Sequence, residues 1–278
     1  MNQIPPIDLA RIDATTREAL ASHALKPIET EREFVESEGL PFVIKWVSTL
    51  ADKPRAAKPA RGGPHNPFAA PEPALLLGDL PPSHRVLLNK FPVMARHLLV
   101  VTQQFEAQSA ALSVGDLHAL AVLVGGNGGL GFYNGGTVAG ASQPHKHLQW
   151  IPELPPLAAC LPRMLARRAE VFTFRHAFAS IDASAWRTPD TGAFLQATYA
   201  RLLAQAFGSP PAGDPPPYNL LLTRDWMWLV PRRAEFWEDM SINALGFAGS
   251  LFVKSRGRFD ALKAAGPINA LRAVAVPA

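Results

Sequence analysis

Apolar residues in this chain come in runs of strand length, each cut off by Pro, Gly or a polar turn. Arg85-Val-Leu-Leu-Asn-Lys-Phe91 is followed by Pro92 and then by His97-Leu-Leu-Val-Val-Thr102. Later, Tyr218-Asn-Leu-Leu-Leu-Thr223 is separated by Arg224-Asp225 from Trp226-Met-Trp-Leu-Val-Pro231. Short apolar runs bounded by turn residues read as buried strands, and two close together read as a hairpin. The 27 prolines and 20 glycines punctuate the whole chain, so long loops and short strands are expected. No apolar run reaches the roughly 18 residues that a membrane span needs.

The remaining segments supply helices. Residues 113–123 read as a helix capped by Ser113, with Asp116 at the third helical position as in a capping box. Residues 13–38 read as two short helices broken near Lys26-Pro27, and residues 157–207 as mostly helical. Residues 40–47 and 131–134 read as strands, 125–131 as a turn, and 241–254 as a small-residue helix or buried segment. Residues 51–74, rich in Pro, Gly, Ala and Lys, read as a long loop, and 209–217 as a proline-rich connector. The chain is therefore α+β. Its two hairpins resemble each other, as they would in a duplicated fold with halves at 1–156 and 157–278; any two buried hairpins share that resemblance too.

Composition narrows the function classes. A chain of 278 residues with 48% hydrophobic and 18% charged residues has enough apolar material for a sizeable core, in one or two domains. Net charge is +4, which suits an anionic small molecule at least as well as a nucleic acid, and no dense Lys/Arg block supports the latter. Cys160 is the sole cysteine, which excludes an intrachain disulfide framework and a multi-cysteine zinc knuckle. Residues 1–6 carry neither a basic nor an apolar leader pattern, so a cytoplasmic protein is expected.

The chemistry is concentrated in residues 134–152. If residues 145–151 form a strand, His145, His147 and Gln149 share one face while Lys146, Leu148 and Trp150 share the other. Core packing would prefer apolar groups on both. Just upstream, Gly135, Gly136, Gly140 and Ala141 allow backbone N–H groups to approach an anion, and Ser142 and Gln143 add side-chain donors. A neutral imidazole beside an anion cradle suits attack on the phosphorus of a phosphate ester. His147 is the expected nucleophile, and Gln149 can donate to a non-bridging oxygen as charge builds there. Lys90 or Lys254 could neutralise a departing polyphosphate. Two other readings stay open: His-x-His on a strand is also a metal-ligand spacing, although only Glu153 and Cys160 lie nearby, and the pair could be structural. Trp226 and Trp228 read as core rather than base stackers, and His65, His84 and His97 as surface or loop residues.

His145-Lys-His147-Leu-Gln149, preceded by Gly140-Ala-Ser-Gln143, resembles the His-x-His-x-Gln motif of the galactose-1-phosphate uridylyltransferase branch of the histidine-triad superfamily, and within it the ATP adenylyltransferase (diadenosine tetraphosphate phosphorylase) family. Asn66-Pro-Phe68 with Pro71-Glu-Pro73, Leu87-Leu-Asn-Lys-Phe91, Phe132-Tyr-Asn-Gly-Gly136, Tyr218-Asn-Leu-Leu-Leu-Thr223 and Asn243-Ala-Leu-Gly-Phe-Ala-Gly249 fit that family as well. The likeness spans roughly residues 40–255. Lys between the histidines points to the adenylyl members, since the uridylyl enzymes look like His-Pro-His.

The resemblance implies an antiparallel histidine-triad-like sheet with helices and two pseudo-repeated halves. The first half would carry the motif and the second would complete the nucleotide site. It implies that His147 attacks an α-phosphorus and holds AMP, that phosphate then takes the AMP to give ADP, and that ATP is the first product. His145 and Gln149 would complete the catalytic group. Lys45, Asn89, Lys90, Asn134, Gly140, Ala141, Ser142, Gln143 and Asn243 would line the nucleotide site. A divalent cation, commonly Mg²⁺, would travel with the polyphosphate, with no resident metal ligand among these residues. Diadenosine tetraphosphate (Ap4A), ATP, ADP and phosphate would be the partners, with no nucleic acid or membrane. Gln149 stands where histidine-triad hydrolases have a third histidine, which favours transfer to an acceptor other than water. Sugar-nucleotide or adenylyl-sulfate transfer, or simple nucleotide or metal binding, are the competing functions.

Overall fold

Ser113 accepts from the Asp116 backbone N–H while the Asp116 carboxylate accepts from Ser113 N–H, so helix α2 (Val114–Asn127) starts where the capping box predicts. The computed structural model describes residues 7–47, 66–208 and 213–278. Helix α1 spans Leu9–Ala21. The strands that follow are β1 (Thr30–Ser37), β2 (Leu40–Val47), β3 (Leu76–Leu80), β4 (His84–Leu88), β5 (Leu98–Thr102), β6 (Leu130–Gly135), β7 (His147–Ile151) and β8 (Ala177–Ser180). Then come β9 (Tyr218–Leu222), β10 (Trp226–Pro231), β11 (Phe236–Trp237), β12 (Met240–Ser241) and β13 (Ser250–Val253). The later helices are α3 (Leu161–Arg167), α4 (Thr191–Phe207), α5 (Ala244–Phe247), α6 (Arg256–Ala265) and α7 (Pro267–Val274).

Eight strands form one antiparallel sheet in the order β3-β4-β5-β7-β6-β9-β10-β8. Both expected hairpins, β4–β5 and β9–β10, lie in it. It takes strands from both sides of residue 156. A second sheet, β1-β2-β13, has β13 parallel to β2. The fold is thus α+β.

Period-two alternation explains how the large sheet fills two cores. Tyr133, Leu148, Trp150, Leu220 and Met227 face α1, α2 and α4, packing on Leu117, Leu120, Leu195 and Leu202. Phe132, Leu221, Trp228 and Val230 face the other way, onto Phe42, Ile44, Phe247, Leu262 and Leu271 of the small sheet and C-terminal helices. Strands buried on both faces carry the near-continuous apolar runs seen in the sequence. Trp226 and Trp228 are core residues, 3% and 0% exposed. Over β4, β5 and β7 that second face carries only a small cluster of Phe68, Leu87 and Val101, with Leu99 beside it. This is where the functional face opens.

Several expectations need correction. The second helix of residues 13–38 is instead β1, paired along its whole length with β2 through the two-residue turn Glu38-Gly39, both at positive φ. Cross-strand pairing overrides the helix preference of its Glu and Arg residues. Leu76–Leu80, inside no expected element, is an edge strand paired with β4. Residues 157–207 are interrupted by β8, which completes the large sheet beside β10. Residues 241–254 divide into α5 and β13, and α2 continues to Asn127, so the turn is made by Gly128 and Gly129 at φ 71° and 75°. The strand expected from residue 145 begins at His147, and His145 pairs only through an isolated bridge to Ala107. Most of the loop at 51–74, including His65, and residues 209–212 of the connector lie outside the described residues. Among the described residues, no helix is long and apolar enough to cross a membrane.

Candidate active site

Strand β7 divides its side chains as alternation requires. Leu148 and Trp150 enter the first core, and His147 and Gln149 project from the opposite face. Cross-strand partners Val101 and Leu99 lie on that same face opposite them. The Phe68 ring covers both histidines, with centroids 5.7 Å from His145 and 5.2 Å from His147. Lys146 turns the other way and is buried against α2, donating to Asp116 Oδ2 at 3.0 Å and Glu106 Oε2 at 2.7 Å. Asp116 also accepts from His84 Nε2 at 2.8 Å. Its carboxyl sits at about 2: burial opposes ionisation, but the His84 bond and the Lys146 charge outweigh it. This buried network clamps the start of β7 to the α2 cap.

The tautomer of His147 is set by its neighbours. His147 Nδ1–H donates to the His145 carbonyl at 2.9 Å, which leaves the Nε2 lone pair without a hydrogen bond among the described residues. Burial drops its pKa to about 4, so the ring is neutral at pH 7. The backbone around it is held by Gln108. Gln108 Oε1 accepts from His147 N–H at 2.8 Å, and its Nε2 donates to the carbonyls of Asn134 at 2.8 Å and His147 at 3.2 Å. The β6–β7 ladder ends at Phe132↔Gln149, and Gln108 fills the gap where the strands separate.

His145 is locked in the opposite sense. Its Nε2 faces the Thr102 carbonyl at 2.8 Å and the Gln104 carbonyl at 3.1 Å, so Nε2 carries the proton. Asn66 Oδ1 accepts from Phe68 N–H, so the Asn66 amide donates to His145 Nδ1 at 2.9 Å. Both ring nitrogens are occupied, which leaves His145 no lone pair for a metal. Among the described residues no group of three or more His, Cys, Asp or Glu side chains could hold an ion.

The structure places the other candidates as follows. Gln149 Oε1 accepts from His97 Nε2 at 2.8 Å, and Asn89 lies 3.1 Å beyond, on His97 Nδ1. Lys45 on β2 is buried, with Nζ 3.5 Å from the Val93 carbonyl. Burial, and then Arg32, lowers its pKa. Lys90 is half-buried and ion-paired with Glu72. Asn134 is buried, accepting from Asn219 Nδ2 and from Ala244 N–H, each at 2.9 Å, so it ties α5 to the sheet. Asn243 caps α5 by accepting from Leu245 N–H at 3.0 Å. Gly140 is at φ 87° and packs so closely on Asn243 and Ile242 that a Cβ there would lie 2.7 Å from the Ile242 carbonyl oxygen. Ala141 is buried, Gln143 half-buried and Ser142 exposed. Lys254 sits on the surface beside Asp239, 3.9 Å away.

Sequence reasoning missed several residues. His84 and His97 are buried, 2% and 6% exposed, because each has a polar partner in the interior. Arg232 is buried as well. Its guanidinium donates to Asn219 and to the carbonyls of Ala139 and Ala234, and burial lowers its pKa only to about 9. A fixed positive charge therefore supports the 136–144 loop. Nothing local in the sequence marks Gln108, His97 or Arg232; only Asn66 and Phe68 fell within a motif already noted.

The sheet and its His-x-His-x-Gln face define a protein of the histidine-triad type. More narrowly, the chain belongs to the Ap4A phosphorylase family: residues 3–164 match the Ap4A phosphorylase N-terminal domain, and residues 170–277 the ATP adenylyltransferase C-terminal domain. It is 28% identical over 287 residues to the Saccharomyces cerevisiae protein APA1, covering 90% of this chain and 88% of that one. It is 30% identical over 260 residues to diadenosine 5',5'''-P1,P4-tetraphosphate phosphorylase 2 of the same yeast, covering 80% and 78%. Its fold matches the crystal structure of yeast Ap4A phosphorylase Apa2 in complex with Ap4A, with a TM-score of 0.78, 25% identity and 99% of both chains covered. The complex of Apa2 with AMP matches with a TM-score of 0.75, also at 25% identity, covering 96% of both.

Proposed function

We propose that this chain phosphorolyses diadenosine tetraphosphate to ATP and ADP through an adenylyl group carried on His147. One observation carries the reading: the His145 carbonyl holds the proton on His147 Nδ1, so the neutral ring offers its Nε2 lone pair on the face it shares with Gln149. The name of one yeast relative, diadenosine 5',5'''-P1,P4-tetraphosphate phosphorylase 2, and the match to Apa2 in complex with Ap4A support the substrate.

In the first step Nε2 attacks the α-phosphorus, a P–N bond forms, and the bridging P–O bond breaks to release ATP. Gln149 donates its amide N–H to a non-bridging oxygen as negative charge accumulates. Lys45, whose charge has only a carbonyl partner among the described residues, faces the leaving polyphosphate together with Lys90 once Lys90 exchanges Glu72 for phosphate. In the second step a phosphate oxygen attacks the same phosphorus, the P–N bond breaks, and ADP leaves with the imidazole neutral again. The backbone of residues 140–143, with the Ser142 and Gln143 side chains, Asn134 and Asn243, forms the cradle. A divalent cation such as Mg²⁺ would arrive with the polyphosphate. The setting is cytoplasmic, and the partners are nucleotides and phosphate.

Incubation with Ap4A in the absence of phosphate should add one AMP to the intact mass, located on His147. Added phosphate should then release ADP. A His147→Ala protein should lose about 10⁴–10⁶-fold in kcat; wild-type turnover by that variant sinks the reading. Faster turnover of a sugar nucleotide or adenylyl sulfate would reassign the substrate.

A further inference from the structure

Strand geometry puts Gln149 beside His147, but it does not choose which end of the Gln149 amide meets the substrate. A carboxamide presents either a donor nitrogen or an acceptor oxygen, and only the donor favours an anionic phosphoryl group. The choice is made two residues away. Asn89 Oδ1 accepts from Phe91 N–H at 3.2 Å, so its amide nitrogen is the end that faces His97 Nδ1 at 3.1 Å. His97 Nδ1 therefore accepts, and its proton sits on Nε2. That Nε2–H donates to Gln149 Oε1 at 2.8 Å, which leaves the Gln149 NH₂ free. It is the only hydrogen bond of the Gln149 side chain among the described residues.

We propose that His97 is a positioning residue for phosphoryl transfer: held as its Nε2–H tautomer by Asn89, it fixes Gln149 with the amide nitrogen toward the transferred phosphate. Burial keeps this ring neutral, with a pKa of about 4, and the nearby Lys45 charge works in the same direction, so the relay does not reverse at physiological pH. The site thus has two neutral histidines of opposite tautomer, His147 protonated on Nδ1 to attack and His97 protonated on Nε2 to orient. The inference rests on the adenylyl-transfer reading above, because it assigns what Gln149 is aimed at.

The test is the single-turnover rate of AMP transfer from Ap4A to His147 in a double-mutant cycle. His97→Leu should lower that rate and kcat by about 10–10²-fold, leaving KM within about threefold, because the contact strengthens as charge develops. In a Gln149→Ala background the same change should cost less than about twofold, since His97 acts only through Gln149. His97→Gln, which keeps a donor near the Nε2 position, should recover most of the loss. Asn89→Ser, which can still accept from Phe91 N–H but lacks the amide donor to His97 Nδ1, releases His97 from its Nε2–H tautomer without adding charge; it should give part of the loss in a folded protein if His97→Leu does not fold, and lose that part in the Gln149→Ala background. Equal costs in both backgrounds would overturn the proposal. Absence of AMP on the wild-type protein would instead overturn the reaction, whatever the variants do.

Discussion

Lys146 Nζ lies 3.0 Å from Asp116 Oδ2, and both side chains are 1% exposed. The residue between the two motif histidines is therefore an anchor, not a ligand for substrate. Removing Asp116 leaves the buried Lys146 charge with Glu106, itself largely exposed, as its one remaining carboxylate among the described residues. Asp116→Ala should cost about 3–5 kcal/mol in chemical denaturation, and it also strips His84 and the α2 cap of their acceptor. A variant within about 1 kcal/mol of wild type would show that the clamp is dispensable.

Gly140 occupies a left-handed conformation at φ 87° against Asn243. Gly140→Ala should destabilise by about 1–3 kcal/mol and lower kcat/KM for Ap4A about tenfold or more as the loop shifts. Gly257, inside α6 with open space around it, is the matched control. Gly257→Ala should stabilise by about 0.4–1 kcal/mol and leave activity unchanged. Equal thermal shifts for both would refute the packing argument.

Arg232 satisfies acceptors on three sides with one planar fork, which an ammonium cannot copy. Arg232→Lys should lower stability by about 2–4 kcal/mol and raise KM more than it lowers kcat, because the glycine loop loses its support. An unchanged KM would separate Arg232 from the site.

The buried histidines set the pH response. His97 and His147 titrate near 4 in the folded chain, well below the usual value of 6.5, so the unfolded chain binds more protons between those limits. Their contribution to stability is complete above about pH 6.5 and declines as pH falls through 4, below which Asp116, near 2, begins to fail as well. The acid limb of kcat/KM should fall near pH 4 rather than 6.5, since the nucleophile must be neutral. Denaturation midpoints that stay constant from pH 7 to 4 would contradict this.

What could be read without coordinates was local. Strand alternation has a period of two wherever a strand occurs, so the sequence announced a shared face for His147 and Gln149, the two of the expected three residues that β7 carries. The Ser113–Asp116 cap and the core role of Trp228 follow from equally short-range rules.

The relay from Asn89 through His97 to Gln149 could not be read that way. It joins residues 52 apart in the chain, brought together only because β5 pairs with β7 in one register. The same dependence on pairing turned residues 30–37 from helix to strand, drew His84 into the interior, and slipped Gln108 into the gap between β6 and β7. Hydrophobic period and capping are properties of neighbouring residues. Burial of a polar group and choice of tautomer depend on distant partners, and tertiary packing alone supplies those.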